Sequence, residues 1–395
     1  MNNYDKNMML GINDMVSMAL GTKGIRPIVD NLNSKYNTLD APGFIWASEM
    51  NATFEYSQIE VITGIAPLPD LVDKASRGTS LRTEGFRGTS DEIPRFAKNF
   101  SIDEATLRQK FAMFKEFDYT LTGSIKDSVK ELMFNSVDKL YSGYNGLITH
   151  MRDQIVSKGK LEFGTFFPTS NLKNKIYTFG IKNDEANKGE TLWWKADVHT
   201  VANEGKNADP IKDLIDLRRS MDLLNPDGKF EMSKVLFEDL QMHSKVLLMV
   251  GRQAYPNSSA GDDVVSNFAR TIIVNGGFKR SLEALIGCAI EVRDTRSAYD
   301  VPDAKTRKPV SRLKYNFETT NVAYIPYGKL GEIQVSAPML MDKQNERNVA
   351  YGYGGRLQFL KTTDELERTQ RVDAELTALP VPEVSRQMAV KTVTA

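Results

Sequence analysis

The most regular pattern of apolar positions in the chain lies between Ser124 and Lys158. Apolar residues recur there in steps of three and four, at Ile125, Val129, Leu132, Met133, Val137, Leu140, Tyr141, Tyr144, Leu147, Ile148, Met151 and Ile155. This spacing places them on one stripe of an α-helix. Ser124 and Asp127 resemble a capping box at its start, and Lys158 followed by Gly159 favours a stop. The pattern predicts one helix about 50 Å long, at roughly 1.5 Å per residue.

Around this helix the apolar stretches are short and rich in the residue types that favour strands. The stretches that predict strands are residues 53–65, 161–201, 322–326, 333–335 and 357–360. Further helices are predicted after the cap Asp209 and Pro210, and within residues 233–247, where a helix followed by a strand is the alternative. The remaining signals are a turn at residues 225–228, a loop at 252–263 and a helix end running into a strand at 282–292. The predicted fold class is α+β, with irregular strands around one dominant helix.

A basic, glycine-rich segment at residues 74–88 interrupts the strand pattern. It contains the cations Lys74, Arg77, Arg82 and Arg87, the anion Glu84, and the glycines Gly78, Gly85 and Gly88. It offers almost nothing apolar to bury, so it predicts a protruding loop or hairpin tip whose glycines permit backbone bends. Residues 93–100 are predicted to be the returning strand. A phosphate-binding loop is disfavoured because the Gly-x-x-x-x-Gly-Lys-Ser/Thr pattern does not occur, and a solvated loop is the alternative.

Two glycines, Gly143 and Gly146, fall in the middle of the predicted long helix. Each costs a helix interior about 1 kcal/mol relative to alanine, so helix stability does not explain them. Two interpretations remain open. The glycines allow close packing against a neighbouring strand, or they mark a weak point where the helix bends.

The overall charge is balanced, with 51 basic and 51 acidic residues and 41% hydrophobic residues in a chain of 395. A protein dedicated to gripping nucleic acid usually has a basic excess, so any contact with DNA is expected to be weak and local. The only cysteine, Cys288, cannot form an internal disulfide and is expected to act as a small buried residue. Neither a signal peptide nor an apolar run of transmembrane length is found, so no membrane association is expected.

A search for catalytic or metal-binding motifs finds none. The three histidines, His150, His199 and His243, are far apart and lack the spacing of zinc ligands. Residues 352–355 lack the arrangement of a dinucleotide fingerprint, and Asp262–Asp263 lies in a predicted loop without apolar surroundings. We therefore expect no enzymatic activity, no cofactor and no bound metal.

The order of these parts resembles the major capsid proteins of tailed bacteriophages, in particular the group related to the lambda capsid protein E. The stretches that carry the resemblance are the basic segment 74–88 with its flanking strands, the helix 124–158, residues 208–214 followed by 233–240, and residues 370–380. The resemblance implies a Hong Kong 97-like fold with an N-terminal arm, an extended loop, a spine helix, and peripheral and axial domains. The implied divisions are 1–52 for the arm, 53–106 for the extended loop with its strands, 107–208 for the peripheral domain with the helix 124–158, 209–335 for the axial domain, and 336–395 for the return to the peripheral domain and the C-terminal strand.

The resemblance also implies a function and a set of partners. Hexamers and pentamers would form an icosahedral head shell around phage DNA, in a virion assembled in the host bacterial cytoplasm. The extended loop would contact an adjacent subunit through Lys74, Arg77, Arg82, Glu84 and Arg87. A portal and a decoration protein are further implied partners. No long charged helical segment precedes the arm, so a fused scaffolding domain is not expected, and scaffolding would come from a separate protein or by an unusual route. Double-stranded DNA would touch the inner face weakly and without sequence preference.

Other functions share the lack of catalytic motifs. A tail-tube, tail-sheath or decoration protein would be built mainly from β-sheet and would lack a helix of this length. An encapsulin-type nanocompartment shell would share the fold and would enclose a cargo enzyme in place of DNA. An enzyme without familiar motifs, acting on polysaccharides or phosphate compounds, is the remaining alternative.

Overall fold

A computed structural model of the chain describes most of its residues. These are residues 24–36, 39–62, 85–103, 121–164, 172–183, 208–256, 261–274, 276–302, 309–338, 348–364 and 369–393, with the single positions 105, 109, 166, 167, 170 and 194. The predicted α+β class is confirmed within these ranges.

Seven α-helices lie in the described residues. They are α1 (Arg26–Lys35), α2 (Leu121–Lys158), α3 (Pro210–Arg219), α4 (Lys234–Met242), α5 (Ser244–Ala254), α6 (Asp262–Val274) and α7 (Phe278–Ile286). The long helix α2 has 38 residues and confirms the main sequence prediction. Its predicted stop is also confirmed, because Gly159 adopts a left-handed φ of 71°. The predicted capping box is wrong, since the helix already begins at Leu121 and Ser124 lies inside it.

The helices in the second half of the chain follow local signals that were only partly predicted. Asp209 caps α3 as expected, and its side chain accepts a hydrogen bond from the backbone of Lys212. Residues 233–247 form two helices in place of one, because His243 takes an extended conformation between α4 and α5. The loop predicted at residues 252–263 is shorter than expected, since α5 continues to Ala254 and α6 begins at Asp262.

The strands form two larger sheets and several hairpins. They are β1 (Phe44–Trp46), β2 (Glu55–Ile62), β3 (Gly85–Glu92), β4 (Arg95–Asp103), β5 (Lys160–Glu162), β6 (Ile176–Thr178), β7 (Lys182–Asn183), β8 (Lys229–Ser233), β9 (Ile290–Arg293), β10 (Arg296–Pro302), β11 (Pro309–Tyr315), β12 (Asn321–Ile325), β13 (Gly331–Val335), β14 (Val349–Gly352), β15 (Leu357–Asp364), β16 (Thr369–Pro382) and β17 (Ala389–Thr392). Short 3₁₀ turns follow at Tyr353–Gly355 and Ser385–Gln387.

The hairpin at the basic segment differs from the prediction in its returning strand. Strand β2 pairs with β3, and these two form a separate two-stranded sheet. Residues 93–100, predicted to return along the first strand, belong largely to β4, which pairs with β16 instead. The change of partner occurs at Pro94, whose nitrogen cannot donate a ladder hydrogen bond. The last bond to the first strand runs from the nitrogen of Ile93 to the oxygen of Phe54, at 2.6 Å.

The first large sheet is organised by β16, a strand of 14 residues. Its first half lies between β4 and β15, and its last residues pair with β13. β1 joins β13 in parallel, and β14 extends the sheet beyond β15. The strand predicted near residues 370–380 is therefore confirmed and is longer than the resemblance implied.

The second large sheet has the strand order β7-β17-β12-β8-β9 and separates two hydrophobic cores. Side chains alternate between the faces of a strand, and β12 shows the consequence. Val322 and Tyr324 belong to the core formed with helices α3–α7, whereas Ala323 and Ile325 belong to the core around α2. Trp194 is buried in the first of these. The single sheet thus has helices packed on both faces.

No helix in the described residues is long and apolar enough to cross a membrane.

Candidate functional site

The C-terminal third of α2 is buried on all sides. From Ile148 to Ser157 every residue is buried, because this part of the helix lies between the second sheet and the strands that follow the helix. The buried set includes the polar residues Thr149, His150, Arg152, Asp153, Gln154 and Ser157. A buried polar group without a partner costs free energy, so each of these constrains what packs around the helix.

Arg152 forms the strongest of these contacts, with Glu231 on β8. Both side chains are fully buried, and the guanidinium donates two hydrogen bonds to the carboxylate, at 2.6 and 2.8 Å. A third donor, Nε, reaches the carbonyl oxygen of Pro42 at 3.1 Å. This two-pronged geometry fixes both distance and orientation. It joins the long helix, the second sheet and the loop before β1.

Strand alternation explains why Glu231 faces the helix. Its neighbours Phe230 and Met232 point to the opposite face and are part of the core with α3–α7. The side of the strand that faces α2 therefore carries one buried carboxylate. Lys229 lies 3.5 Å from Glu231 and adds a second cation at the edge of the network.

A second half of the network surrounds Asp153. Its carboxylate accepts a hydrogen bond from Arg152 at 3.0 Å and one from the hydroxyl of Thr295. Arg293, at the end of β9, lies 3.4 Å from Asp153 and 3.5 Å from Asp40. Two arginines and two buried carboxylates thus alternate across the junction, which we call the ionic junction (Arg152, Asp153, Glu231 and Arg293).

Burial acts differently on the two carboxylates of the ionic junction. At Asp153 it outweighs the charges of Arg152 and Arg293 and raises the pKa. Burial alone would raise the pKa of Glu231, but the adjacent charge of Arg152 outweighs it and holds the pKa below its ordinary value. Burial alone would lower the pKa of Arg152, and Glu231 raises it instead. Both groups are therefore charged, and the attraction between them offsets the free-energy cost of removing the two charges from water.

His150 occupies the same buried turn without a countercharge. Its ring lies 3.6 Å from that of Phe166, measured between centroids. Burial lowers the pKa of His150 to about 3, and the positive charges of Lys314 and Lys158 lower it further, with Asn316 opposing. His150 is therefore neutral at pH 7. His150 thus lies inside helix α2 and is buried.

The middle of α2 is fixed by two tyrosines. Tyr144 receives a hydrogen bond from the backbone nitrogen of Lys98 at 3.0 Å, and its hydroxyl donates to the carbonyl of Ala374. Tyr141 stacks on Tyr36, the residue that follows α1, at 5.1 Å between ring centroids. The helix is therefore held by β4, β16 and α1 along its buried side.

Gly143 and Gly146 lie on the other side of this stretch, inside an uninterrupted helix. Among the described residues, a Cβ placed at Gly143 would meet nothing within 4 Å, and one at Gly146 would meet Ser297 Oγ at 3.7 Å. Close packing against a neighbouring strand and the bend both remain predictions.

Only part of the predicted extended loop lies in the described residues. Lys74, Arg77, Gly78, Arg82 and Glu84 fall outside them. Within β3, Gly85 pairs with Ile62, Arg87 with Glu60 and Gly88 with Ile59. The ladder continues through both glycines, so the chain reversal lies before Gly85.

The base of this hairpin is fixed to the subunit. Tyr177 on β6 donates a hydrogen bond to the carbonyl of Glu92 at 3.0 Å, and Lys175 lies 3.0 Å from Asp91. Tyr56 is buried in the core around α2. The hairpin is thus anchored at one end, and the segment predicted to contact a neighbour begins at the other.

Other candidate chemistry was sparse in the sequence and is sparse in the structure. No group of three or more His, Cys, Asp or Glu side chains in the described residues is placed to hold a metal ion. The thiol of Cys288 is half-buried and donates to the carbonyl of Gly228 at 2.9 Å, and burial raises its pKa to about 11. His199 lies outside the described residues.

The chain is similar in structure to proteins of phages. A phage-related protein from Bordetella bronchiseptica RB50 has 12% identity and a TM-score of 0.43, covering 94% of this chain and 98% of that chain. The putative capsid protein of a prophage of Escherichia coli CFT073 has 11% identity and a TM-score of 0.40, covering 97% and 99%. The capsid of Ralstonia phage GP4 has 10% identity and a TM-score of 0.41, covering 90% and 88%.

Phage capsid proteins are thus among the similar structures. No family model and no curated protein matches the chain.

The ionic junction predicts strong coupling between Arg152 and Glu231. Glu231→Leu leaves the guanidinium of Arg152 buried without its main partner and is expected to lower the free energy of unfolding by about 3–5 kcal/mol. In the double variant Arg152→Met with Glu231→Leu, apolar groups replace the pair, and at least about 2 kcal/mol of that loss should return. Urea denaturation of the unmodified protein, Arg152→Met, Glu231→Leu and the double variant measures both effects.

Arg252→Ala is the matched control, because Arg252 and Asp262 form an ion pair whose side chains are about two-thirds exposed. It should change the free energy of unfolding by less than about 1 kcal/mol. A double variant as unstable as the sum of its single variants would show that Arg152 and Glu231 are not coupled.

His150 predicts a loss of stability on acidification. Its pKa of about 3 lies below its ordinary value of 6.5, so between these pH values the unfolded chain binds more protons. Stability therefore decreases as the pH falls through this window, by about 2 kcal/mol from pH 7 to pH 5. His150→Phe keeps the ring contact with Phe166 and should remove this part of the pH dependence. An unchanged pH dependence in the variant would contradict the assignment.

The helix glycines predict stabilisation by alanine. Gly143→Ala with Gly146→Ala adds no steric conflict and should raise the free energy of unfolding by up to about 2 kcal/mol, through helix propensity. Gly251→Ala on α5 is the contrasting control, because its Cβ would lie 2.5 Å from the carbonyl oxygen of Val265. That variant should be destabilised. Thermal unfolding is the measurement. A double variant of Gly143 and Gly146 that unfolds at a lower temperature than Gly251→Ala would refute the expectation.

Proposed function

We propose that this chain is a major capsid protein, which assembles through copies of itself into a closed shell. The main support for this proposal is the hairpin of β2 and β3, which forms a two-stranded sheet separate from the other described strands. An isolated hairpin of this kind is only marginally stable in water, so it needs a second surface. The subunit supplies contacts at the base of the hairpin, and a neighbouring copy is the proposed source of the rest.

The arrangement of the other elements supports the same proposal. A 38-residue helix is far longer than the helices of most compact domains. It follows the hairpin and precedes the sheet that separates two cores, in the order that the resemblance to tailed-phage capsid proteins implies. A mainly β-sheet tail or decoration protein would not contain it.

The finer proposal concerns the assembly and its contents. The copies form hexamers and pentamers that close an icosahedral head around double-stranded DNA, with assembly in the host cytoplasm. A separate scaffolding protein, a portal and a decoration protein are the expected partners. With 51 basic and 51 acidic residues the chain has no global positive charge, so its contact with DNA is weak and nonspecific. The domain boundaries at residues 52, 106, 208 and 335 are part of this proposal.

Electron microscopy of the purified protein, expressed alone and with neighbouring genes from its source genome, tests the proposal. Closed shells of uniform size are expected, and nuclease-protected DNA in shells from infected cells distinguishes a phage head from a nanocompartment holding an enzyme. A protein that stays monomeric or dimeric under all these conditions would contradict the proposal.

The basic segment gives a sharper prediction about contacts between subunits. Arg82→Glu with Arg87→Glu should leave the subunit folded but block shell closure, because acidic groups on the adjacent subunit would meet negative charge. Particle yield by gradient sedimentation is the measurement, with circular dichroism as the check on folding. Arg26→Glu with Lys212→Glu, two exposed positions outside the hairpin, is the control with the same change of charge. Equal particle yields from both double variants would refute the role of the segment.

A further inference from the structure

Strand β4 forms an open edge of the first sheet. It pairs with β16 along its full length, from Arg95 to Asp103, and among the described strands it has no second partner. The side chains of Ala97, Asn99 and Ser101 are exposed. An open edge of nine residues is a template for pairing with another strand, and proteins usually cover or shorten such edges.

The bonds between β4 and the rest of the first sheet show which backbone groups point away from it. The nitrogen of Ala378 donates to the oxygen of Pro94. The Tyr144 hydroxyl, which also donates to β16, lies 3.4 Å from the oxygen of Phe96 and 3.0 Å from the nitrogen of Lys98. The backbone groups of these three β4-side residues therefore point toward β16. Because a strand presents its backbone groups to alternate edges, those of residues 95, 97, 99, 101 and 103 point to the open edge.

The sequence of β4 is complementary to itself when two copies run antiparallel with Asn99 at the centre. Arg95 then lies opposite Asp103 of the partner subunit, and the same contact recurs at the other end. Opposite charges in this position stabilise a ladder, whereas like charges weaken it. The residues with outward backbone groups also meet one another, 95 with 103, 97 with 101 and 99 with 99. About ten ladder hydrogen bonds can therefore form.

The other charged contacts of β4 are compatible with this register. Lys98 is the third charge on the strand and lies opposite Phe100, so no two like charges are directly opposed. Arg95 binds Glu375 of its own chain at 2.6 Å, through one of its two terminal nitrogens. Its side chain is 53% exposed, so further donors of the guanidinium are accessible to a second carboxylate.

We propose that two copies of this chain pair through their β4 strands, antiparallel and about a two-fold axis at Asn99. The first sheets of both copies then form one continuous sheet. Such a contact is isologous, because both copies use the same surface, and Arg95 and Asp103 set its register. The inference goes beyond the proposed function, because a dimer of this kind forms whether or not a shell closes.

Disulfide trapping of the full-length protein, in a Cys288→Ser background, tests the proposal. Asn99→Cys places two thiols at the axis, where the paired Cα atoms would lie about 5.5 Å apart, within the range that a disulfide spans. Mild oxidation should give a covalent dimer. Ser101→Cys is the matched control, because its two thiols would lie four residues apart along the ladder, about 13 Å. It should give several-fold less dimer, and equal yields would overturn the proposal.

Mixing two single-cysteine proteins tests the same register independently. Ala97→Cys mixed with Ser101→Cys should give the mixed disulfide, because these positions lie opposite each other. Each of the two proteins alone should give several-fold less dimer. A mixture that gives no more dimer than its components would overturn the register. Protein that stays monomeric in all these experiments would overturn the pairing itself, because the edge would then be protected by its own charges.

A backbone variant separates edge pairing from folding. Ala97→Pro removes an N–H that points away from β16, so it should preserve the first sheet and lower the yield of the Asn99→Cys dimer several-fold. Ala97→Val keeps this N–H and should leave the yield unchanged. If Ala97→Pro does not fold by circular dichroism, Asp103→Arg takes its place, because it puts two arginines opposite each other at both ends of the ladder. An unchanged yield in the folded variant would overturn the proposal.

The outcomes are distinguishable from those of the capsid proposal. Closed shells whose Asn99→Cys subunits do not form the disulfide would overturn the strand pairing and leave the shell intact as a proposal. A disulfide-linked dimer in a protein that forms no shells would support the pairing and contradict the shell.

Discussion

A buried charge must be paired, and the position of the long helix depends on this constraint. Arg152 and Glu231 are both without contact with water, and moving either by a few ångströms would leave a charge uncompensated in the interior. An apolar stripe tolerates small rotations and slides, but a two-pronged arginine–carboxylate contact does not. The pair thus fixes the rotation and axial position of the helix against β8. The tyrosine contacts and the first sheet then follow from where the helix lies.

The second sheet shows how one layer of strands serves two cores. Alternation sends neighbouring residues of β12 and β8 to opposite faces, so the same five strands carry helices on one side and the end of α2 on the other. On the side that faces α2, Glu231 forms an ion pair with Arg152 at a position where an apolar side chain would otherwise pack. The charges therefore specify which element packs on that face, while the opposite core remains apolar.

The sequence predicted elements whose signals are local and did not predict contacts between distant residues. The long helix, the cap at Asp209 and the strand β12 each have periodicity or capping signals within a few residues. The ionic junction could not be found in this way, because Arg152 and Glu231 are 79 positions apart. A charged residue between the apolar Phe230 and Met232 was the available signal. The partner of β4 was predicted wrongly, because its true partner β16 lies far away in the sequence and no local signal indicates the pairing. Helix α6 was not predicted, although its apolar residues follow helical steps.

The pairing of β16 with β4 has a consequence for how the chain is made. Strand β4 ends at Asp103, and its partner begins at Thr369, close to the C-terminus. At a synthesis rate of roughly 5–20 residues per second, the edge of β4 waits on the order of tens of seconds for the strand that covers it. During that time the nascent chain exposes an unpaired strand that can join the same strand of another chain on a neighbouring ribosome. The order of translation therefore favours a chaperone that shields β4 until the chain is released.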